Sequence, residues 1–201
     1  AITFLPQLET RKSFWNTPFS ASITLFLIGF IKKACISDNI EPLVDSIYAG
    51  FDALTLVIAA FLYAVQIYCD FSGYADMAIG IAGLLGYHVA INFDFPFFAS
   101  NISDYWRRWH ISFSSWVRDY LYFPLGGSRG SEAQTDRNLM ITMLLSGLWH
   151  GAGAHFIVWG GLNGIALVFH HFYGRVKGIP QFLRSLFAHT GVALTFTGSC
   201  S

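Results

Sequence analysis

The sequence predicts an all-α fold: a polytopic bundle of membrane helices with an amphipathic interfacial helix and re-entrant or broken helices. Three observations carry that prediction. Of 201 residues, 54% are hydrophobic, 17% aromatic and only 12% charged, whereas soluble domains are about a quarter charged. No Asp, Glu, Lys or Arg occurs from Asn138 to Gly174, a length of uncharged chain that suits a bilayer better than a soluble core. Tryptophan and arginine are concentrated together between apolar runs, as at a membrane boundary.

Taken in order, Phe19 to Ile31 is apolar apart from small and hydroxyl residues and ends at Lys32 and Lys33. This is a first spanning helix, whose lysines could snorkel to the headgroups. Ala53 to Phe93 follows, with Asp70 and Asp76 as its acids. Two helices fit there, with the break near "CDFSGYAD" (Cys69 to Asp76), where Gly73 and the aspartates weaken a continuous span. Ala78, Ala82 and Gly86 recur at four-residue spacing, a small face along which another helix can approach.

Asn101 followed by Asp104 resembles a capping box, so a helix is expected from Ile102. At 100° per residue it carries Ile102, Tyr105, Trp106, Trp109, Phe113 and Trp116 on one face, with Asp104, Arg107, Ser114 and Arg118 opposite. A tryptophan stripe backed by arginine fits the membrane surface, because indole favours the headgroup boundary and guanidinium favours water or phosphate. Pro124 and Gly126-Gly127 then make a turn. Arg107, Arg108, Arg118, Arg129 and Arg137 all lie in this region, which the positive-inside tendency assigns to the cytoplasmic side. The uncharged stretch is long enough for one span plus part of another, or for two short ones. Its Gly147/Gly151 and Gly160/Gly164 spacings suit tight helix packing. A final helix is expected to begin in Ser185 to Phe196.

No linker or internal repeat divides the chain, so residues 1–201 read as one membrane unit. The start, AITFLPQLETRKSF, shows no signal peptide, and the end, TFTGSCS, follows an apolar run directly. A single partial domain, truncated at both ends, is the expectation.

Several function classes drop out. Zero formal net charge and the lack of any zinc-finger, basic-region or RNP-like pattern exclude a nucleic-acid binder. Cys35, Cys69 and Cys200 form no C-x-x-C pair. His150 and His155 do not share a helix face and no Glu accompanies them, unlike H-E-x-x-H, so no metal site is expected. P-loop, Rossmann and G-x-S-x-G fingerprints are absent.

What remains is His150 in "SGLWHGAGAHF" and His110 in "WRRWH". Burial keeps an imidazole neutral and able to accept a proton near pH 7, which suits a general base for a hydroxyl acceptor. A core histidine bonded to a neighbouring helix is the competing reading, and it is assigned to histidines 88, 155, 170, 171 and 189. Arg107 and Arg108 suit bidentate contact with a phosphate, as in a coenzyme A or carrier phosphopantetheine donor, or with lipid headgroups. Asp70 and Asp76 could line a polar cavity or pair with a cation.

Read together, "LIGFIKKACISDNIEPLVD", "QIYCDFSGYADMAIGIAGLLGY", "NFDFPFF", "SNISDYWRRWHIS", "WVRDYLYFPLGGSRG" and "SGLWHGAGAHFIVWGGLNG" closely resemble the membrane-bound O-acyltransferase family. The nearest branch is the bacterial alginate O-acetyltransferase type, with teichoic-acid D-alanyl transfer proteins more distant. The resemblance implies a multi-pass enzyme of the bacterial inner membrane that moves an acyl group, acetyl in this branch, from a cytoplasmic thioester to a hydroxyl of an exported polysaccharide. The family's principal histidine falls on His150. Its second motif histidine, an asparagine in many members, falls on His110.

By the same resemblance, His150 deprotonates the acceptor, while His110 orients substrate or supports the oxyanion. Trp106, Arg107, Arg108, Trp109, Arg118, Asp119, Trp149, Asp70 and Asp76 are the candidate substrate-binding residues. The donor is acetyl-CoA or an acyl-carrier thioester, with no tightly bound cofactor. The implied partners are the bilayer, an extracytoplasmic acetyl-transfer protein and the polysaccharide. Two alternatives make no bond here: a conduit lined by Asp70, Asp76 and His150, and a scaffold that docks a partner enzyme.

Overall fold

The computed structural model describes residues 4–10, 12, 17–48 and 53–175. The described secondary structure is helical, and no strand occurs among the described residues. The chain divides into two compact units, residues 1–92 and 93–201, each considered by itself. Among the described residues, three stretches are long and apolar enough to cross a membrane: Phe19–Ile47, Leu54–Leu84 and Ala154–Arg175. The fold is the all-α, membrane-type architecture the composition predicts. The segment proposed as a final helix, Ser185 to Phe196, lies outside the described residues.

In the first unit, a short α1 (Leu5–Leu8) precedes α2 (Phe19–Phe30), which runs through a π-helical stretch (Ile31–Ser37) into α3 (Asp38–Tyr48). The predicted break at Cys69–Asp76 does not occur, and one helix, α4 (Ala53–Leu84), covers the whole region. Its acids are compensated. Lys32 Nζ lies 2.6 Å from Asp76 Oδ2, and Lys33 pairs with both Asp70 and Asp38. A carboxylate neutralised by a neighbouring helix no longer needs to end a span. These lysines therefore reach toward α4 and α3 as ion-pair partners, not toward headgroups as their position in sequence suggested.

Gly73 does not weaken α4 either. It is the contact point: a Cβ there would lie 2.7 Å from the Gly29 carbonyl oxygen, and one at Gly29 would lie 2.5 Å from the Gly73 carbonyl oxygen. Gly80 meets the Ser22 backbone of α2 in the same way. Close approach thus uses Gly73 and Gly80, and the predicted Ala78/Ala82/Gly86 row does not continue to Gly86. Gly86 instead sits beyond the end of α4 with φ +79°, a conformation that suits glycine at a helix C-terminus. On the outer side Leu54, Val57 and Phe61 are each 68% exposed, the apolar surface expected of a lipid-facing span.

In the second unit a 3₁₀ turn (Pro96–Phe98) leads to α5 (Ile102–Arg108). Asn101 caps it, its side-chain oxygen accepting from the Asp104 N–H at 2.8 Å. The reciprocal bond is shifted by one residue, since the Asp104 carboxylate accepts from Ser100 N–H. The long interfacial helix predicted to run from Ile102 through Trp116 is broken. α6 (Ile111–Val117) starts afresh after Trp109 in extended geometry and His110 at φ 42°. The break has an identifiable cause, because the Arg108 carbonyl accepts from Asp94 N–H and the Trp109 carbonyl accepts from Ser114 Oγ. Groups that would continue the helix ladder are already used.

A π-helical turn (Arg118–Tyr122) and a bend at Gly126-Gly127 follow. Buried Asn138 donates from Nδ2 to the Gly127 carbonyl at 3.0 Å, holding the bend against α7 (Glu132–His150). Ser131 and Gln134 form a complete capping box at the start of α7. α8 (Ala154–Arg175) folds back on α7. Gly147, Gly160 and Gly164 make the close approach; a Cβ on Gly160 would come 2.5 Å from the Met143 carbonyl oxygen. Gly151 belongs to the turn between the helices. At the far end of the hairpin, Arg175 and His171 bind Asp136, and Arg175 also binds Glu132.

Candidate functional site

The turn after α7 and the break before α6 bring the two motif histidines onto one aromatic cluster. His150, the last residue of α7, has four rings around it. Trp159 meets it edge-on at 5.0 Å between centroids, Trp149 at 5.1 Å, Phe113 at 6.0 Å and Phe156 at 6.1 Å. His110 stacks on Phe113 at 5.2 Å with an interplanar angle of 18°. Phe113 packs in turn on Trp149 at 4.4 Å, so one phenyl ring joins the two imidazoles.

His110 holds a backbone conformation that side chains other than glycine, Asn and Asp rarely adopt. Such conformations cost about 1–3 kcal/mol and cluster at functional sites. Burial, and then the neighbouring His150 ring, hold the His110 imidazole below the ordinary histidine range. It is therefore neutral at pH 7, able to donate one hydrogen bond and accept another.

Trp106 and Trp109 extend the cluster. Trp106 meets Trp159 at 5.8 Å, Tyr105 links Trp106 to Trp109, and Trp109 meets Phe93 at 5.1 Å. Buried Tyr105 and Ile102 anchor this side of α5. The Trp106 indole N–H is buried without a hydrogen-bond partner.

Beside the cluster lies a cleft of about 610 Å³. Its walls include Trp106, Phe113, Arg107 and Arg118, with Thr142 and Ser146 of α7, and no carboxylate is among its lining residues. The Thr142 and Ser146 hydroxyls donate to carbonyls one turn back and keep lone pairs free to accept.

The arginines differ. Arg107 lines the cleft and has no acidic partner among the described residues. Arg108 is engaged elsewhere, its Nε donating to Asp104 at 3.1 Å while Nη1 approaches Asp94 at 3.7 Å. The backbone bond from Ser100 and the Arg108 guanidinium hold the Asp104 carboxyl below its usual range. Arg118 lines the cleft and binds the exposed Asp119 at 2.8 Å, which lowers the Asp119 pKa. Asp70 and Asp76 belong to the first unit, where they pair with Lys33 and Lys32.

Sequence reading did not single out Phe113, Phe156 or Trp159 as site residues. Phe113 was visible as part of an aromatic stripe, but its place between the histidines depends on the break at His110. Trp159 and Phe156 reach His150 because α8 turns back at Gly151–Gly153, which no local pattern specifies. No group of three or more potential metal ligands occurs among the described residues.

This geometry can be set beside known proteins. The Azotobacter vinelandii protein named "Probable alginate O-acetylase AlgI" is 46% identical over 170 residues, which cover 84% of this chain and 34% of that protein. The Helicobacter pylori "Peptidoglycan O-acetyltransferase" is 42% identical over 179 residues, 85% of this chain and 33% of that one. The Bacillus subtilis "Teichoic acid D-alanyltransferase" is 29% identical over 157 residues, 75% of this chain and 38% of that one. The chain thus spans about a third of the length of the curated relatives it matches. The sequence profile of one family matches residues 3–196, both histidine motifs included, and the chain accordingly belongs to the membrane-bound O-acyltransferase family.

Proposed function

We propose that this chain carries the catalytic region of a membrane O-acetyltransferase, which moves acetyl from a cytoplasmic thioester donor toward hydroxyls of an exported polysaccharide. The observation that carries the reading is the shared aromatic cluster of His110 and His150, with Phe113 also forming a wall of the arginine-bearing cleft. The relatives' names give the reaction class.

His150 takes the proton of the acceptor hydroxyl as its oxygen attacks the thioester carbonyl. The carbon–sulfur bond then breaks, and the thiolate leaves and takes up a proton. His110, neutral and held in place by its backbone, donates toward the developing oxyanion or orients the acceptor. Arg107, without an acidic partner among the described residues, and Arg118 receive the phosphate-bearing part of acetyl-CoA or of a carrier-bound donor. Trp106, Trp109 and Trp149 give the site apolar walls. Arg108 and Asp119 act indirectly, by fixing α5 and Arg118. The acetyl ester so formed is then handed on outside the membrane, the enzyme itself being multi-pass in the bacterial inner membrane. A hydroxyl of an extracytoplasmic partner protein, and after it one of the polysaccharide, attacks the ester carbonyl, and the carrying oxygen leaves and takes up the proton. The conduit reading depends on Asp70 and Asp76, and their engagement by Lys33 and Lys32 argues against it.

The test is transfer of labelled acetyl from acetyl-CoA by the full-length protein in membranes. His150→Ala is expected to lower kcat by at least about 10²-fold while donor binding persists, and Arg107→Ala to raise KM for the donor with a smaller effect on kcat. Undiminished transfer by His150→Ala would overturn the mechanism.

A further inference from the structure

We propose that Phe113 is the partition between the donor cleft and the histidine pair, and that its ring sets the size of acyl group the enzyme accepts. The proposal rests on the acetyltransferase reading above. Phe113 both lines the cleft and makes ring contacts with the two histidines. On this proposal, a thioester arm whose phosphate lies at Arg107 or Arg118 brings its carbonyl past this ring to reach His150.

Ring contacts on two sides hold Phe113 in this orientation. His110 lies nearly parallel to it at 5.2 Å, and Trp149 holds it at 4.4 Å. A fixed phenyl wall would pass an acetyl group and obstruct longer acyl chains. Shortening the side chain at position 113 opens that space from the cleft side without removing either histidine.

The experiment compares acetyl-, propionyl- and butyryl-CoA as donors for the full-length protein in membranes, with wild type beside Phe113→Ala, Phe113→Leu and Phe113→Trp. The expected result is a rise of at least about tenfold in the butyryl-to-acetyl ratio of kcat/KM for Phe113→Ala. Phe113→Leu should show a smaller rise, and Phe113→Trp none. If the variants keep the wild-type ratio, Phe113 does not select acyl size. If Ala and Leu lose all three donors together, with no gain for butyryl, its role is to support the histidines and the proposal is overturned. A wild type that transfers none of the three would remove the underlying reading, which is a distinct outcome.

Discussion

At the residue scale, His110 carries two demands at once: an imidazole against Phe113 and a backbone at φ 42°. Asparagine tolerates that backbone and can still hydrogen-bond, whereas alanine adopts it at a cost and has no hydrogen-bonding side chain. His110→Asn should therefore keep the wild-type melting behaviour and part of the activity. His110→Ala should lose about 1 kcal/mol of stability and more activity, as checked by thermal melts and acetyl transfer on the same preparations. The pH dependence has a definite sign. Because the folded-state pKa of His110 lies below its ordinary value of 6.5, the unfolded chain takes up the proton first. Stability is then lost as pH falls through 6.5 toward the lower folded value. His110→Asn should flatten that acid-side loss, and an unchanged slope would show that His110 does not titrate in this way.

Elements show where local sequence misleads. Asp70, Gly73 and Asp76 have the composition of a helix break, yet they are the points at which α4 meets α2 and its π-helical continuation, through Lys33, Gly29 and Lys32. The opposite happened between Ile102 and Trp116. A continuous amphipathic pattern is interrupted because Asp94 and Ser114 satisfy the carbonyls of Arg108 and Trp109. Both differences come from partners distant in the chain or across a turn, which periodicity does not register. Glycine substitutions test the packing directly. Gly73→Leu drives a side chain into the Gly29 backbone and should destabilise by at least about 1–3 kcal/mol. Gly174→Ala, where an added Cβ meets nothing within 4 Å, should be neutral or stabilising by up to about 1 kcal/mol. Thermal melts of the two variants, compared with wild type, decide this.

For the whole molecule, the membrane class was legible from charge depletion, whereas the α7–α8 hairpin was not: the uncharged stretch suited one span plus part of another or two short ones, and Gly151 read as a packing residue before it proved to lie in the turn. His110 and His150 were legible as candidates because polar side chains in apolar surroundings are costly. Their nearness was not, since it depends on α6 and α7 meeting around Phe113. Likewise, sequence treated Arg107 and Arg108 alike, and folding separates them: one lines the cleft and the other is spent on Asp104 and Asp94.

The central claim is that His110 and His150 serve one reacting centre. A double-mutant cycle on acetyl transfer by the full-length protein in membranes, with His110→Asn, His150→Ala and the double variant, tests it most directly. Residues that act as a unit are strongly non-additive, so the double variant should lose hardly more activity than His150→Ala alone. Losses that multiply fully would place the two histidines in independent roles and contradict the account.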